Sequence, residues 1–239
     1  MRRIPGSGIA LILILVVVAR ALTRGSIFSD PIGWLRDELL ILPGIIIGLT
    51  VHEFAHAFAA YKLGDQTPKL QGRVTLNPLA HIDPVGLIAL LFVGFGWGKP
   101  VQVNPYAFKH RRRDNLITDA AGVATNFVIA FIFMGIIKIV VSVSGYASAT
   151  TALYYVINIL IYVVWINLVL MIFNLLPVPP LDGFGIVTEI FDLRGKPIYE
   201  KIYHAGMPIL ILLILFNVPS KVIEPIIRFL YEFIEGVFF

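Results

Sequence analysis

Ile46-Ile47-Gly48-Leu49-Thr50-Val51-His52-Glu53-Phe54-Ala55-His56-Ala57-Phe58-Ala59-Ala60 sets two imidazoles and a carboxylate inside an apolar run that extends from about 39 to 61. The run is long enough to cross a bilayer as a helix. On that helix the histidines, four residues apart, share a face, and the glutamate beside the first lies roughly 100° round the axis. A solvated face is not available to them among these flanks. A carboxylate near the middle of a membrane helix costs about 2.5 to 3.5 kcal/mol on insertion scales, and ionisable groups at that depth usually mark function. His-Glu-x-x-His on one helix is also a metal-binding spacing, in which the two rings converge on an ion and the glutamate can reach water activated beside it. The stretch therefore reads as half of a catalytic zinc site inside a membrane, against the plainer reading of two buried, hydrogen-bonded histidines.

The rest of the composition agrees with a membrane setting. Of 239 residues, 58% are hydrophobic and 14% charged, and the mean hydropathy is +0.86, far above that of a soluble domain. The expectation is an all-α polytopic membrane protein forming a single embedded domain over residues 1–239. With no cysteine, thiolate sites and disulfides are excluded, so a metal must be held by His, Asp or Glu. The net charge of +4 comes from cations clustered beside apolar spans, which reflects membrane topology and implies no nucleic-acid partner.

Working outward, Gly8 to Leu22 after Arg2 and Arg3 reads as an uncleaved first helix in preference to a signal peptide, and 23–38 as a mixed-charge connector. Residues 62–84 are polar and turn-rich, with room for a short β element near Leu70 to Leu76. Val85 to Trp97, broken by Gly86, Gly94 and Gly96, is too short for an untilted span and fits a re-entrant or hairpin segment. Further spans are expected at 116–141, 151–176 and, shorter, 205–218, five or six in total. The tail, 219–239, carries Lys221, Glu224, Arg228, Glu232 and Glu235 at helical intervals and reads as an amphipathic helix, interfacial or packed on the bundle.

The distribution of Lys and Arg orients the spans. With the N-terminus cytoplasmic, thirteen cations fall on that side and five on the other, as the positive-inside bias requires. This brings the carboxy-terminal ends of the 39–61 and 151–176 spans to the same leaflet. At the second of these ends stands Asn174-Leu175-Leu176-Pro177-Val178-Pro179-Pro180-Leu181-Asp182-Gly183. Three prolines interrupt the helix, and irregular backbone at membrane depth is tolerated only where protein or a water-filled cavity satisfies it. Asp182 is thus a candidate third ligand, the plainer alternative being a helix-ending aspartate in a turn. A catalytic zinc takes three protein ligands and keeps a fourth position open.

His52-Glu53-x-x-His56 paired with Asn174-x-x-Pro177-x-Pro179-x-x-Asp182-Gly183 in separate membrane helices resembles the site-2 protease family of intramembrane zinc metalloproteases, over roughly residues 40–215. The resemblance implies one catalytic Zn2+ held by His52, His56 and Asp182, with Glu53 catalytic and Asn174 near the substrate or transition state. Gly122-x-x-x-Asn126 resembles the family's Gly-x-x-x-Asn element, for which plain helix packing is the leading role. Asn77-Pro78-Leu79-Ala80-His81-Ile82-Asp83-Pro84 resembles a segment of small prokaryotic members, leaving His81 either a substrate-binding or a structural histidine. No loop is long enough for the PDZ insertion of larger relatives. The expected function is hydrolysis of peptide bonds within or near transmembrane segments of membrane-anchored substrates, in regulated intramembrane proteolysis or removal of membrane remnants. The expected partners are those proteins and the lipid bilayer, and the expected location is the cell membrane, active site towards the cytoplasm. The rival readings are a divalent-metal transporter, which would need a polar path to the other leaflet, and a proteolytically inactive scaffold binding client helices, which would not need Glu53.

Overall fold

The structure is a computed structural model that describes residues 29–93, 96–144, 150–216 and 218–239; the expected first helix at 8–22 lies outside them. Eight α-helices are formed among the described residues: α1 (Pro31–Lys62), α2 (Thr67–Leu70), α3 (Pro84–Val93), α4 (Arg111–Ser144), α5 (Thr151–Asn174), α6 (Asp182–Ile190), α7 (Pro197–Leu215) and α8 (Val218–Phe238). The fold is that of an all-α polytopic membrane protein. Among the described residues, helices α1, α4 and α5 are the ones long and apolar enough to cross a bilayer, spanning about 48, 51 and 36 Å at 1.5 Å per residue.

These three pack on one another and form the frame of the molecule. Helix α1 begins at Pro31, earlier than the expected connector allowed. The Asp30 carboxylate accepts a hydrogen bond from Gly33 N at 2.9 Å and Pro31 takes the first helical position, so a capped start outweighs the charge of the first turns. Arg36 and Asp37, which suggested a connector, ride exposed on the first turns as a surface pair at 3.1 Å.

Helices α1 and α5 run parallel. Gly44 of α1 packs on the Tyr162 carbonyl, where a Cβ would lie 2.9 Å from the oxygen, and Gly48 lies beside Asn167. Helix α4 is antiparallel to both, Thr118 lying by His56 and Asn126 by Gly48. One end of the bundle therefore gathers the carboxy ends of α1 and α5 and the amino end of α4.

Ala130, Met134 and Ile137 of α4, Val164, Leu168 and Ile172 of α5 and Ile223, Ile227 and Ile234 of α8 form the main buried cluster. The tail helix is thus packed on the bundle, its isoleucines filling the groove between α4 and α5. The second half of α7 takes in 205–215 of the expected fifth span. With Glu200 and Lys201 in its first turns, α7 is not among the three helices that meet the length and apolarity of a span.

Between α1 and α4 the chain forms no strand among the described residues. The stretch near Leu70 to Leu76 is a helical turn followed by bends, because Pro68 and Gly72, the latter at φ +69°, favour tight reversal over extension. Helix α3, about 15 Å long, has about half the length needed to cross a bilayer. The chain then returns to its starting point: Ile82 and Gly98 make an isolated antiparallel bridge, and Lys99 N donates to His81 O at 2.7 Å. These contacts hold the two ends of the segment together.

Candidate metal centre

At the gathered end of the bundle, His52 and His56 project from α1 towards α4. The His52 Nδ1–H donates to Asn126 Oδ1 at 2.6 Å, and the His56 Nδ1–H donates to the Thr118 carbonyl at 2.7 Å. The orientation of the Asn126 amide is itself fixed, because its Nδ2 donates to Asn167 Oδ1 at 2.9 Å and to Gly48 O at 3.3 Å. Asn167 Nδ2 in turn donates to Val163 O at 2.8 Å. A buried polar chain thus crosses α1, α4 and α5 and places the proton of each ring on Nδ1.

The consequence falls on Nε2. Both Nε2 atoms then present lone pairs, and they lie 3.0 Å apart. Asp182 Oδ2 stands 3.1 Å from one and 3.3 Å from the other, and it is buried with no hydrogen-bond partner. Three electron-rich atoms facing one another without a donor between them repel, so this buried arrangement calls for a cation. Two imidazoles and a carboxylate form the donor set that suits zinc with one position left open. His52, His56 and Asp182 are the one such cluster among the described residues.

Asp182 arrives by a separate device. Helix α5 ends at Asn174, the proline-rich turn carries the chain back, and α6 starts at Asp182 itself. Gly183 lets the first turn of α6 sit against the end of α5: a Cβ there would collide with the Leu175 carbonyl and come within 2.6 Å of Leu176 O. The far end of α6 is held by Arg112, which donates to the carbonyls of Glu189 and Ile190, and by the Glu189–Arg194 pair at 2.5 Å. Fixed at both ends, α6 holds its carboxylate over α1.

Gly122 completes the cradle. A Cβ at this position would lie 2.5 Å from His56 Nε2, 2.7 Å from His52 Cε1 and 2.8 Å from His52 Nε2, so only glycine admits both rings. Gly122 and Asn126, four residues apart, therefore do more than pack helices: one clears the space for the rings and the other orients His52.

The remaining expected residues lie around the cluster. Glu53 is turned towards the return limb of the hairpin, its Oε2 accepting from Val101 N at 2.9 Å with Arg73 Nη2 at 3.7 Å. The Asn174 Nδ2 donates to Leu170 O one turn back in its own helix at 2.9 Å. His81 is fully buried and stands outside the ligand cluster; its Nε2–H donates to Thr75 O at 2.7 Å. Burial lowers its pKa, the Arg73 charge adding to the effect against the opposing Thr75 bond and Glu53 charge, which favours the neutral ring.

Thr118, Arg73 and Asp119 were not singled out from the sequence. Thr118 acts through its backbone carbonyl, which leaves no mark in a sequence. Asp119, whose carboxylate packs against Gly185 of α6, could have been noticed as an acid entering an apolar span.

Asn126→Ala is expected to leave His52 Nδ1 without its acceptor and to weaken metal binding about 10- to 100-fold, the usual cost of losing a residue that orients a ligand. Competition against a chromophoric chelator measures it.

Fold and site define a helical membrane protein with a His–His–Asp centre built on HExxH. The profile of Peptidase family M50 matches residues 134–217, which include Asn174 and Asp182-Gly183. YwhC of Bacillus subtilis (strain 168), which bears a provisional zinc-metalloprotease name, is 39% identical over 190 residues, covering 77% of this chain and 84% of YwhC. Two proteins named Rip2, with the same provisional designation, are 28% identical (Mycolicibacterium smegmatis, 73% of this chain and 67% of that protein) and 25% identical (Mycobacterium tuberculosis strain H37Rv, 80% and 71%). The chain belongs to Peptidase family M50, the site-2 protease family. No solved structure matches it significantly.

Proposed function

We propose that this protein is an intramembrane zinc endopeptidase that hydrolyses peptide bonds within or near transmembrane segments of membrane-anchored proteins. The observation that carries the reading is the convergence of His52 Nε2, His56 Nε2 and Asp182 Oδ2 while both Nδ1 atoms are held elsewhere. Those three residues would hold one zinc ion, which when bound polarises a scissile carbonyl and lowers the pKa of water. Asn126 and Thr118 fix the rings that carry it.

Glu53 accepts a proton from the attacking water and delivers it to the leaving amine. Asn174 donates to the developing oxyanion, for which its amide must leave the Leu170 carbonyl; such donors are worth about 3 kcal/mol where they have been removed. A substrate helix hides its peptide bonds, so the substrate must be partly unwound. The α3 hairpin, closed beside Glu53, is the entry we assign. The clustered cations at the end of the bundle that holds the site favour the cytoplasmic side of the cell membrane, a setting that suits both regulated proteolysis and clearance of membrane remnants.

The test uses the full chain purified in detergent, with metal content by plasma mass spectrometry and cleavage of a panel of single-span membrane reporters. Wild type is expected to hold about one zinc per chain and to cut at least one reporter, to lose cleavage on chelation and to regain it with zinc. Asp182→Asn removes the anionic ligand and is expected to fall well below one zinc per chain after desalting. Zinc flux into liposomes that persists without Glu53 would instead indicate a transporter, and full zinc occupancy of Asp182→Asn would remove Asp182 from the ligand set.

A further inference from the structure

We propose that Arg73 is a positioning residue for Glu53, holding the carboxylate in place through an ion pair and through the backbone of the hairpin's return limb. The inference rests on Glu53 being the proton-transfer group proposed above.

Arg73 lies in the loop after α2, yet its side chain is only 5% exposed. A guanidinium keeps its charge in a protein and, when buried, needs an anion. Glu53 is the carboxylate it pairs with, Nη2 to Oε2 at 3.7 Å. The same Nη2 donates to the Lys99 carbonyl, so one guanidinium touches both the carboxylate and the limb beside it.

That limb is pinned from two sides. The N–H of Lys99 donates to His81 O at 2.7 Å and its carbonyl accepts from Arg73, which leaves Val101 N on Glu53 Oε2 at 2.9 Å. Arg73 is itself anchored. Its N–H donates to Pro68 O at 2.8 Å, and the turn that carries Pro68 is tied down by Asp65, which accepts from Thr67 N at 2.9 Å and from Asn104 N at 2.7 Å. Both contacts to Glu53 fall on Oε2 and leave Oε1 outside them. The arrangement fixes one carboxylate oxygen and frees the other for proton transfer, which favours a role in turnover over a loop clamp alone.

Two measurements on the full chain in detergent decide it. In a thermal-stability cycle over wild type, Arg73→Gln, Glu53→Gln and the double variant, the Tm shifts are expected to be non-additive, because each single change strands a buried partner. With any reporter that wild type cuts, Arg73→Gln is expected to lower kcat at least tenfold with KM within twofold and zinc content unchanged, and Arg73→Lys, which keeps the charge, to recover part of the loss. Additive Tm shifts, or a kcat for Arg73→Gln within twofold of wild type, would overturn the assignment, and a Lys variant no better than Gln would reduce Arg73 to a clamp on Lys99. If no reporter is cut by wild type, the protease reading fails while the stability cycle still decides the pair.

Discussion

Glu53→Gln is expected to keep its zinc and to lose peptide cleavage by at least about 10³-fold, within the 10²–10⁴ that positioned acid–base groups contribute. The substitution is close to isosteric, and the glutamine carbonyl can still accept from Val101 N, so the local backbone is retained. The three converging donor atoms belong to His52, His56 and Asp182, and their supports to Asn126 and Thr118. None of these depends on the Glu53 carboxylate. What disappears is the carboxylate proposed to take a proton from water and return it to the leaving amine. Metal analysis on the sample used for single-turnover cleavage separates the two effects. Wild-type cleavage by Glu53→Gln would remove Glu53 from the mechanism.

Gly122→Ala is expected to weaken zinc binding at least about 100-fold, at the upper end of what losing a ligand's support costs, while helical content is retained. The added methyl would sit 2.5 Å from His56 Nε2 and 2.8 Å from His52 Nε2, closer than real side-chain contacts allow. The rings cannot retreat cheaply. Thr118 and Asn126, which draw them onto α4 through Nδ1, lie on the same helix as the methyl that would push them away. Either the Nδ1 hydrogen bonds break or α1 and α4 separate, and the packing of α1 on α4 opposes separation. Chelator competition and far-ultraviolet circular dichroism on one preparation check the prediction. Wild-type affinity would mean that the rings rest elsewhere when metal is bound.

Much of this was legible from residues alone. The spans carrying α1, α4 and α5 announce themselves by unbroken apolar length, and the HExxH turn by being polar where nothing around it is. Asp182 is legible because prolines break its helix at membrane depth. Helix starts were less so: Asp30 and Pro31 override the charges of the following turns through a local cap that hydropathy does not register. The role of α8 was left between interface and bundle, since an amphipathic pattern states which face is apolar without naming what covers it.

The sequence by itself determined that the chain is helical and membrane-embedded and that two histidines and a glutamate share one turn of an apolar span, because helical periodicity and transfer energy are local properties of the chain. The assignment of Asp182 as the third ligand came from the family resemblance. Tertiary structure alone decided how those residues are made ready. The proton on each histidine is placed by a carbonyl and an amide from another helix, the space for the rings by a glycine four residues from that amide, and the aim of Glu53 by the contacts of Arg73 and Val101. Each is a long-range pairing whose energy arises only when distant segments meet, so no window of sequence contains it.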